Sequence, residues 1–69
     1  METRKTDKYK VRLTFDILDD NSPMIGVSAY DVESGKGIGW CESTFELHDS
    51  LFFDWDDDKV NEWVEETFY

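Results

Sequence analysis

The sequence predicts a small α+β domain in which a three-stranded antiparallel sheet, a meander, is followed by one C-terminal helix packed on it, in the order βββα. Apolar and polar residues alternate early in the chain, and clusters of turn-forming residues interrupt it at short intervals. A helical period of apolar residues appears only near the end. At 69 residues the chain is one domain with one modest core.

The first predicted strand covers residues 8–17, in which every second residue is apolar. The apolar members of this alternation are Tyr9, Val11, Leu13, Phe15 and Ile17. A period of two is typical of a half-buried strand. The cluster from Asp19 to Pro23 contains the residue types that form turns, so we expect the strand to end there.

The second and third predicted strands cover residues 24–32 and about 38–47, with a glycine-containing hairpin loop between them. The alternation of the second strand breaks between Ala29 and Tyr30, which predicts a bulge or a strand with apolar residues on both sides. Gly39 lies inside the third strand, where it weakens the ladder or admits a close neighbour such as an aromatic ring.

The pattern becomes helical from about Asp57. The stripe with spacing i, i+3, i+4, i+7 and i+8 consists of Val60, Trp63, Val64, Thr67 and Phe68. The acids just before it suit a helix N-terminus, where a carboxylate can cap free amides and meets the positive end of the dipole. The apolar run 51–55 has no clear period and is interpreted as a short turn that plugs the core.

Residues 1–7 are predicted to form a mobile basic tail, and residues 8–69 the single acidic domain. The charged start is not followed by an apolar run, and none reaches the roughly 18 residues of a membrane span, so neither a secretory signal nor an anchor is predicted. The single cysteine, Cys41, cannot form an internal disulfide, which favours the cytoplasm.

The charge of the chain is strongly negative and unevenly distributed. The net charge is −10, made up of +3 over residues 1–12 and −13 over residues 13–69. Such a field repels nucleic acid and anionic membranes and attracts basic proteins. It therefore predicts no direct binding of nucleic acid and no membrane partner. The alternative is that the acidity has no partner and serves only to keep a small protein soluble.

The segment 54–69 carries seven acids and one base, Lys59. On a helix, neighbours three or four residues apart lie about 5–6 Å from each other, so the acids form a row. The predicted partner-binding residues are Asp54, Trp55, Asp56, Asp57, Asp58, Glu62, Glu65 and Glu66, with Trp55 as the aromatic anchor. Acids that assist if their loops share this face are Asp19, Asp20, Asp31 and Glu33.

In size, acidity, element order and its acidic, aromatic C-terminal helix, the chain resembles the small proteins that phages make to disable bacterial enzymes, including anti-CRISPR and anti-restriction DNA mimics. The resemblance covers the whole chain as composition and carries no residue roles with it. It implies a stoichiometric inhibitor that occupies a basic, nucleic-acid-binding groove of a host or defence enzyme.

Two alternatives are a self-assembling structural protein, such as a homodimer paired through sheet edges or aromatic residues, and a calcium-binding module. Acids match positions 1, 3, 5, 9 and 12 of an EF-hand loop at Asp54, Asp56, Asp58, Glu62 and Glu65. Lys59 stands where the sharp turn of that loop needs glycine, and Asn61 stands where an apolar residue is usual. We therefore predict neither a metal nor another cofactor.

An enzyme is not predicted. Cys41 and His48 are the sole thiol and imidazole, and at opposite ends of one strand they would lie about 23 Å apart, too far for a nucleophile pair. The alternating glycines at positions 35, 37 and 39 lack the following helix that a phosphate-binding loop requires. With one histidine and one cysteine, a zinc site is equally remote.

Overall fold

The structure, a computed structural model, describes residues 2–69. It confirms the α+β class with an antiparallel sheet and a C-terminal helix. The elements in chain order are β1 (Glu2–Lys5), β2 (Tyr9–Ile17), β3 (Pro23–Asp31), β4 (Gly37–Ser43), α1 (Phe45–Asp49), a π-helical turn (Ser50–Asp54) and α2 (Asp57–Phe68).

The sheet contains four strands within residues 2–69, and not the three that the sequence predicted. The strand order is β1-β2-β3-β4, and the additional strand comes from the segment 1–7 that was expected to be a mobile tail. Residues 2–5 pair antiparallel with β2, from Glu2 opposite Leu13 to Lys5 opposite Lys10. The side chain of Arg4 also anchors β1, because it donates a hydrogen bond to the Leu51 carbonyl over 3.0 Å. The charged composition of β1 suits an edge strand.

The register of the sheet follows from its two hairpins. β2 and β3 pair from Tyr9 opposite Asp31 to Ile17 opposite Pro23. In the turn between them Asn21 adopts a left-handed φ of 65°, a conformation that asparagine tolerates better than most residues. The predicted bulge is confirmed: the pairing of β3 with β4 shifts register between Ala29 and Tyr30, so that one residue of β4 has no partner.

The third predicted strand was too long. β4 ends at Ser43, and α1 occupies the residues that were predicted to continue it. Phe45 and Leu47 alternate with polar neighbours as a strand would, but a helical turn buries Leu47 in the core and lets Phe45 stack on Phe15 at 5.9 Å. The following π-helical turn buries Leu51 completely but leaves Phe53 largely exposed, so only Leu51 of the apolar run lies fully inside the core.

α2 crosses one face of the sheet and completes the core. Val60 and Val64 of the predicted stripe are fully buried, whereas Thr67 is exposed and Asn61 is buried in its place. The buried side is therefore rotated toward Asn61, whose amide is satisfied by polar partners near β2. The buried apolar residues are Tyr9, Val11, Leu13, Ile25, Val27, Ala29, Leu47, Leu51, Val60 and Val64.

The backbone at Gly39 lies directly beneath the Phe68 ring, as the position of the glycine suggested. A Cβ at Gly39 would lie 2.5 Å from Cδ1 of Phe68, and the ring also packs edge-on against Trp63 at 5.8 Å. We expect Gly39→Ala to lower the free energy of unfolding by about 1–3 kcal/mol, because the ring must leave this position. Urea unfolding measures the change.

Gly37→Ala is the matched control for Gly39→Ala. Its Cβ would meet its nearest neighbour, Tyr30 Cε1, at 3.9 Å, an ordinary van der Waals distance. We expect a change within about 0.5 kcal/mol. Equal effects of the two substitutions would contradict the packing of α2 on β4.

The two faces of the sheet differ in charge. The face away from the helices carries Lys5 opposite Lys10, and Arg12 one row further along. The ammonium of Lys10 lies 5.3 Å from the centre of the Tyr30 ring on this open face. The face covered by the helices is instead backed by the acids of α2. Three cations thus share the open face with Asp16 and Glu42, whereas the carboxylates of α2 lie on the other side of the sheet.

Candidate functional site

The start of α2 is fixed by the acids that precede it. Asp56 is the N-cap, and its carboxylate accepts the backbone N–H of Lys59 over 2.9 Å. Asp57 and Asp58 occupy the first turn, where negative charge opposes the positive end of the helix dipole. Part of the acidity of this segment therefore stabilises the helix itself.

Two more of the predicted binding residues have structural partners. Asp57 forms an ion pair with Arg4 at 2.6 Å, which ties α2 to β1. Glu65 accepts the hydroxyl of Tyr9 over 2.9 Å. Burial of Tyr9 and, to a lesser extent, this hydrogen bond to Glu65 raise the pKa of Tyr9 to about 12. The phenol therefore remains a hydrogen-bond donor. These contacts neutralise or orient carboxylates that the sequence suggested were all available to a partner.

Four acids of α2 form the acidic helix face, which we define as Asp58, Glu62, Glu65 and Glu66; of these, Glu65 alone is bonded to Tyr9. All are exposed on one continuous helix, as the row predicted from the sequence requires. Within residues 2–69 the carboxylates of Asp58 and Glu66 make no hydrogen bond or ion pair, and Glu62 lies 3.7 Å from the ammonium of Lys59. Asp54, just before the helix, is likewise exposed.

Trp55, the predicted anchor, is half-buried and already has protein partners. Its ring packs 6.2 Å from Trp63, and the Lys59 ammonium lies 5.9 Å from its centre. It also belongs to the side chains that pack on the core. A partner could reach only one part of this ring, so most of its contact area serves the fold.

The loop acids do not share one face. Asp19 and Asp20 lie in the β2–β3 turn, at the end of the sheet opposite Asp31 and Glu33. Asp31 accepts the backbone N–H groups of Glu33 and Ser34 and so shapes the β3–β4 turn. Near that turn, a recess of about 300 Å³ is lined by Asp7, Lys8, Tyr9, Asp31 and Glu33. Asp31 and Glu33 thus lie at the end of the sheet where Tyr9 holds Glu65, whereas Asp19 and Asp20 lie at the other end.

The structure also contains an aromatic surface whose position and members the sequence did not predict. We call it the aromatic end and define it as Phe15, Phe45, His48, Phe52 and Phe53. The rings surround His48, with centroids 5.0 Å away for Phe52, 5.9 Å for Phe15 and 6.1 Å for Phe53. No periodic pattern links these residues, because β2, α1 and the π-helical turn each contribute some of them. The signal that could have found them is the excess of aromatic residues over what the core of so short a chain can cover.

His48 and Cys41 have environments of different kinds. His48 Nδ1 lies 3.1 Å from the Asp49 carboxylate, and its Nε2 contacts that of Glu2. The bond to Asp49, together with the contact to Glu2, raises the pKa of His48 above its usual value. Burial raises the pKa of the Cys41 thiol, which keeps it protonated. The distance estimate that separated them assumed a strand through residue 47, which was wrong because α1 begins at Phe45.

The residues that match an EF-hand spacing do not form a loop. Asp58, Glu62 and Glu65 lie on α2, which is helical from Asp57 onward. In the part of the chain that the structure describes, no three histidine, cysteine, aspartate or glutamate side chains are grouped so that they could hold a metal ion.

Comparisons with protein-family models, with curated proteins and with solved structures give no match for this chain. Among residues 2–69, no helix has the length and apolar character needed to cross a membrane.

Proposed function

We propose that the protein is a non-catalytic binding protein whose acidic helix face occupies a basic groove of another protein. The observation that supports the proposal is the row of exposed carboxylates of Asp58, Glu62 and Glu66 on one side of a rigid helix. Like charges at helical spacing cost a few tenths of a kcal/mol per pair when nothing balances them. A cationic partner removes this cost and adds charge-assisted hydrogen bonds.

The dimensions of the helix suit a groove that otherwise holds a nucleic-acid backbone. Its 12 residues extend over about 18 Å, the length of roughly five base-pair steps at about 3.4 Å each. The partner we propose is therefore a basic nucleic-acid-binding enzyme of a host or defence system, inhibited stoichiometrically in the cytoplasm. This is the mode of action of the phage inhibitors that the chain resembles.

Reversing the charge of the acidic helix face tests the proposal. In the triple variant Asp58→Lys, Glu62→Lys and Glu66→Lys, we expect the affinity for the partner to fall on the order of 100-fold, because like charges juxtaposed at an interface cost several kcal/mol. The partner is captured from a host lysate at low salt on the immobilised chain and eluted by a salt ramp. Displacement of labelled nucleic acid from the captured protein is then followed by fluorescence anisotropy.

The matched control reverses three exposed acids elsewhere, in the variant Asp16→Lys, Asp19→Lys and Glu42→Lys. It has the same net charge as the helix variant, so a loss of affinity confined to the helix variant identifies the face and not the total charge. The proposal fails if both variants bind alike, or if the captured protein keeps its nucleic acid when the chain is in excess.

Self-association is the second candidate, and one observation favours it. β4 is hydrogen-bonded only to β3, so its outer edge is open, and Trp40 on this strand is 56 % exposed. Open edges are templates for pairing with another strand. Sedimentation at two protein concentrations separates the candidates, because a stable dimer at micromolar protein favours assembly and a monomer favours the acidic inhibitor.

A further inference from the structure

The aromatic end leaves a large apolar area uncovered. Phe53 is 77 % exposed, Phe45 52 % and Phe15 43 %, and Ile17, two residues further along the same side of β2, is 74 % exposed. Single exposed apolar residues are common, but contiguous patches mark interaction surfaces in soluble proteins. Here four large apolar residues from three elements lie at one end of the molecule.

The patch is rigidly supported and contains a groove. Leu47 and Leu51, on the inner sides of α1 and the π-helical turn, are buried and fix both elements to the core. An open groove of about 440 Å³ is lined by Glu2, Thr3, His48, Phe52 and Phe53. This is within the size range of sites that accept a side chain or a small ligand. Rings that are fixed before binding lose little further freedom when a partner arrives.

The segments that supply the rings are rich in carboxylates and poor in cations. Residues 13–35 and 37–58, which supply every member of the aromatic end, contain no lysine and no arginine. Four acids belong to the same elements or to the groove wall. Glu46 on α1 and Asp54 at the end of the π-helical turn are exposed, and Asp49 and Glu2 flank His48, to which both are bonded. An apolar surface with an acidic border is complementary to an apolar segment with cationic flanks.

We infer that the aromatic end is a second interaction surface, which binds a segment of a partner protein carrying apolar side chains flanked by lysine or arginine. The apolar side chains would cover Phe45 and Phe53, and the cations would meet the bordering carboxylates or lie over the exposed ring faces. Nucleic acid and anionic lipid are repelled by this border. A second copy of the chain would bring the same carboxylates against it, so charge also disfavours self-pairing here. The surface is separate from the acidic helix face.

The test uses the full chain and three synthetic peptides of equal length, one of leucine and lysine, one of leucine and glutamate, and one of serine and lysine. Calorimetric titration measures each affinity. We expect the leucine–lysine peptide to bind and both others to bind at least about tenfold more weakly, since each lacks one of the two required features.

Two variants locate the binding surface. Phe53→Ser and Phe45→Ser alter exposed rings and should leave the fold intact. Each substitution is expected to lower the affinity for the leucine–lysine peptide about tenfold or more. The matched control is Tyr69→Ser, since Tyr69 is 75 % exposed but lies at the C-terminus, 6.5 Å from the Tyr9 ring. It is expected to leave the affinity within about twofold. Circular dichroism confirms that each variant is folded.

Several results would overturn the inference. The first is an affinity for the leucine–lysine peptide that neither Phe substitution changes. The second is a leucine–glutamate peptide that binds as tightly as the leucine–lysine peptide. The third is a self-association, seen in sedimentation, that Phe53→Ser abolishes. Peptide binding that depends on Glu62 and Glu66 but not on Phe53 also overturns it, and leaves the proposed function of the acidic helix face standing.

Discussion

Leu51→Ala is expected to lower the free energy of unfolding by about 2–5 kcal/mol. The Leu51 side chain is fully buried, at 0 % exposure, although it lies in a short π-helical turn of five residues. Removing it leaves a cavity in the hydrophobic core. The neighbouring backbone is held by Arg4, which donates to the Leu51 carbonyl, so the site has little freedom to collapse.

Urea unfolding followed by tryptophan fluorescence measures this loss. Phe53→Ala is the control within the same turn, because Phe53 is larger than Leu51 but mostly exposed, and it should change stability by no more than about 0.5 kcal/mol. If Leu51→Ala costs less than about 1 kcal/mol, the turn does not anchor the core as described.

Asn61→Ala is expected to destabilise the protein by about 2–3 kcal/mol, because it breaks the buried polar link between α2 and the turn before β2. The Thr6 hydroxyl donates to Asn61 Oδ1 over 2.6 Å, and Asn61 Nδ2 donates to the Asp7 carboxylate over 3.3 Å. Thr6 and Asn61 are both buried, at 5 % and 8 % exposure, so the Thr6 hydroxyl left behind cannot be fully solvated.

A double-mutant cycle tests this link. Thr6→Val removes the hydroxyl that also accepts the N–H groups of Lys8 and Tyr9, whereas Thr6→Ser retains it and is the conservative control. We expect the double variant of Thr6→Val and Asn61→Ala to be less destabilised than the sum of the single variants by about 1 kcal/mol or more. Strictly additive free energies of unfolding would show that the two residues act independently.

Periodicity predicted the elements whose packing is local and regular. β2 follows the alternation from Tyr9 to Ile17, and α2 begins at Asp57, where the helical period begins. β1 was missed because Glu2 to Lys5 contains no apolar residue, and its position depends on the Arg4 contacts to Leu51 and Asp57 far along the chain. α1 was missed because Phe45 and Leu47 alternate with polar neighbours as they would in a strand, and their contacts to the core and to Phe15 form only in the folded chain.

For the candidate site, the sequence predicted the row of acids but not which of them are already engaged. Helical spacing alone places Asp58, Glu62 and Glu66 on one face. The partners of Asp57 and Glu65 are more than 50 positions away in the sequence, so no local pattern indicates them. The aromatic end is a product of tertiary structure in the same sense, since it exists only after three elements have packed together.

The carboxylates along α2 and the cations of Lys5, Lys10 and Arg12 on the open face of the sheet make the charge distribution of the molecule asymmetric. A body of this kind rotates in the field of a positively charged surface before it makes contact. For the basic partner proposed above, we expect this orientation to bring the helix toward the groove and to raise the fraction of productive encounters. Added salt weakens this torque as well as the final attraction, so association should slow with ionic strength more than dissociation speeds up.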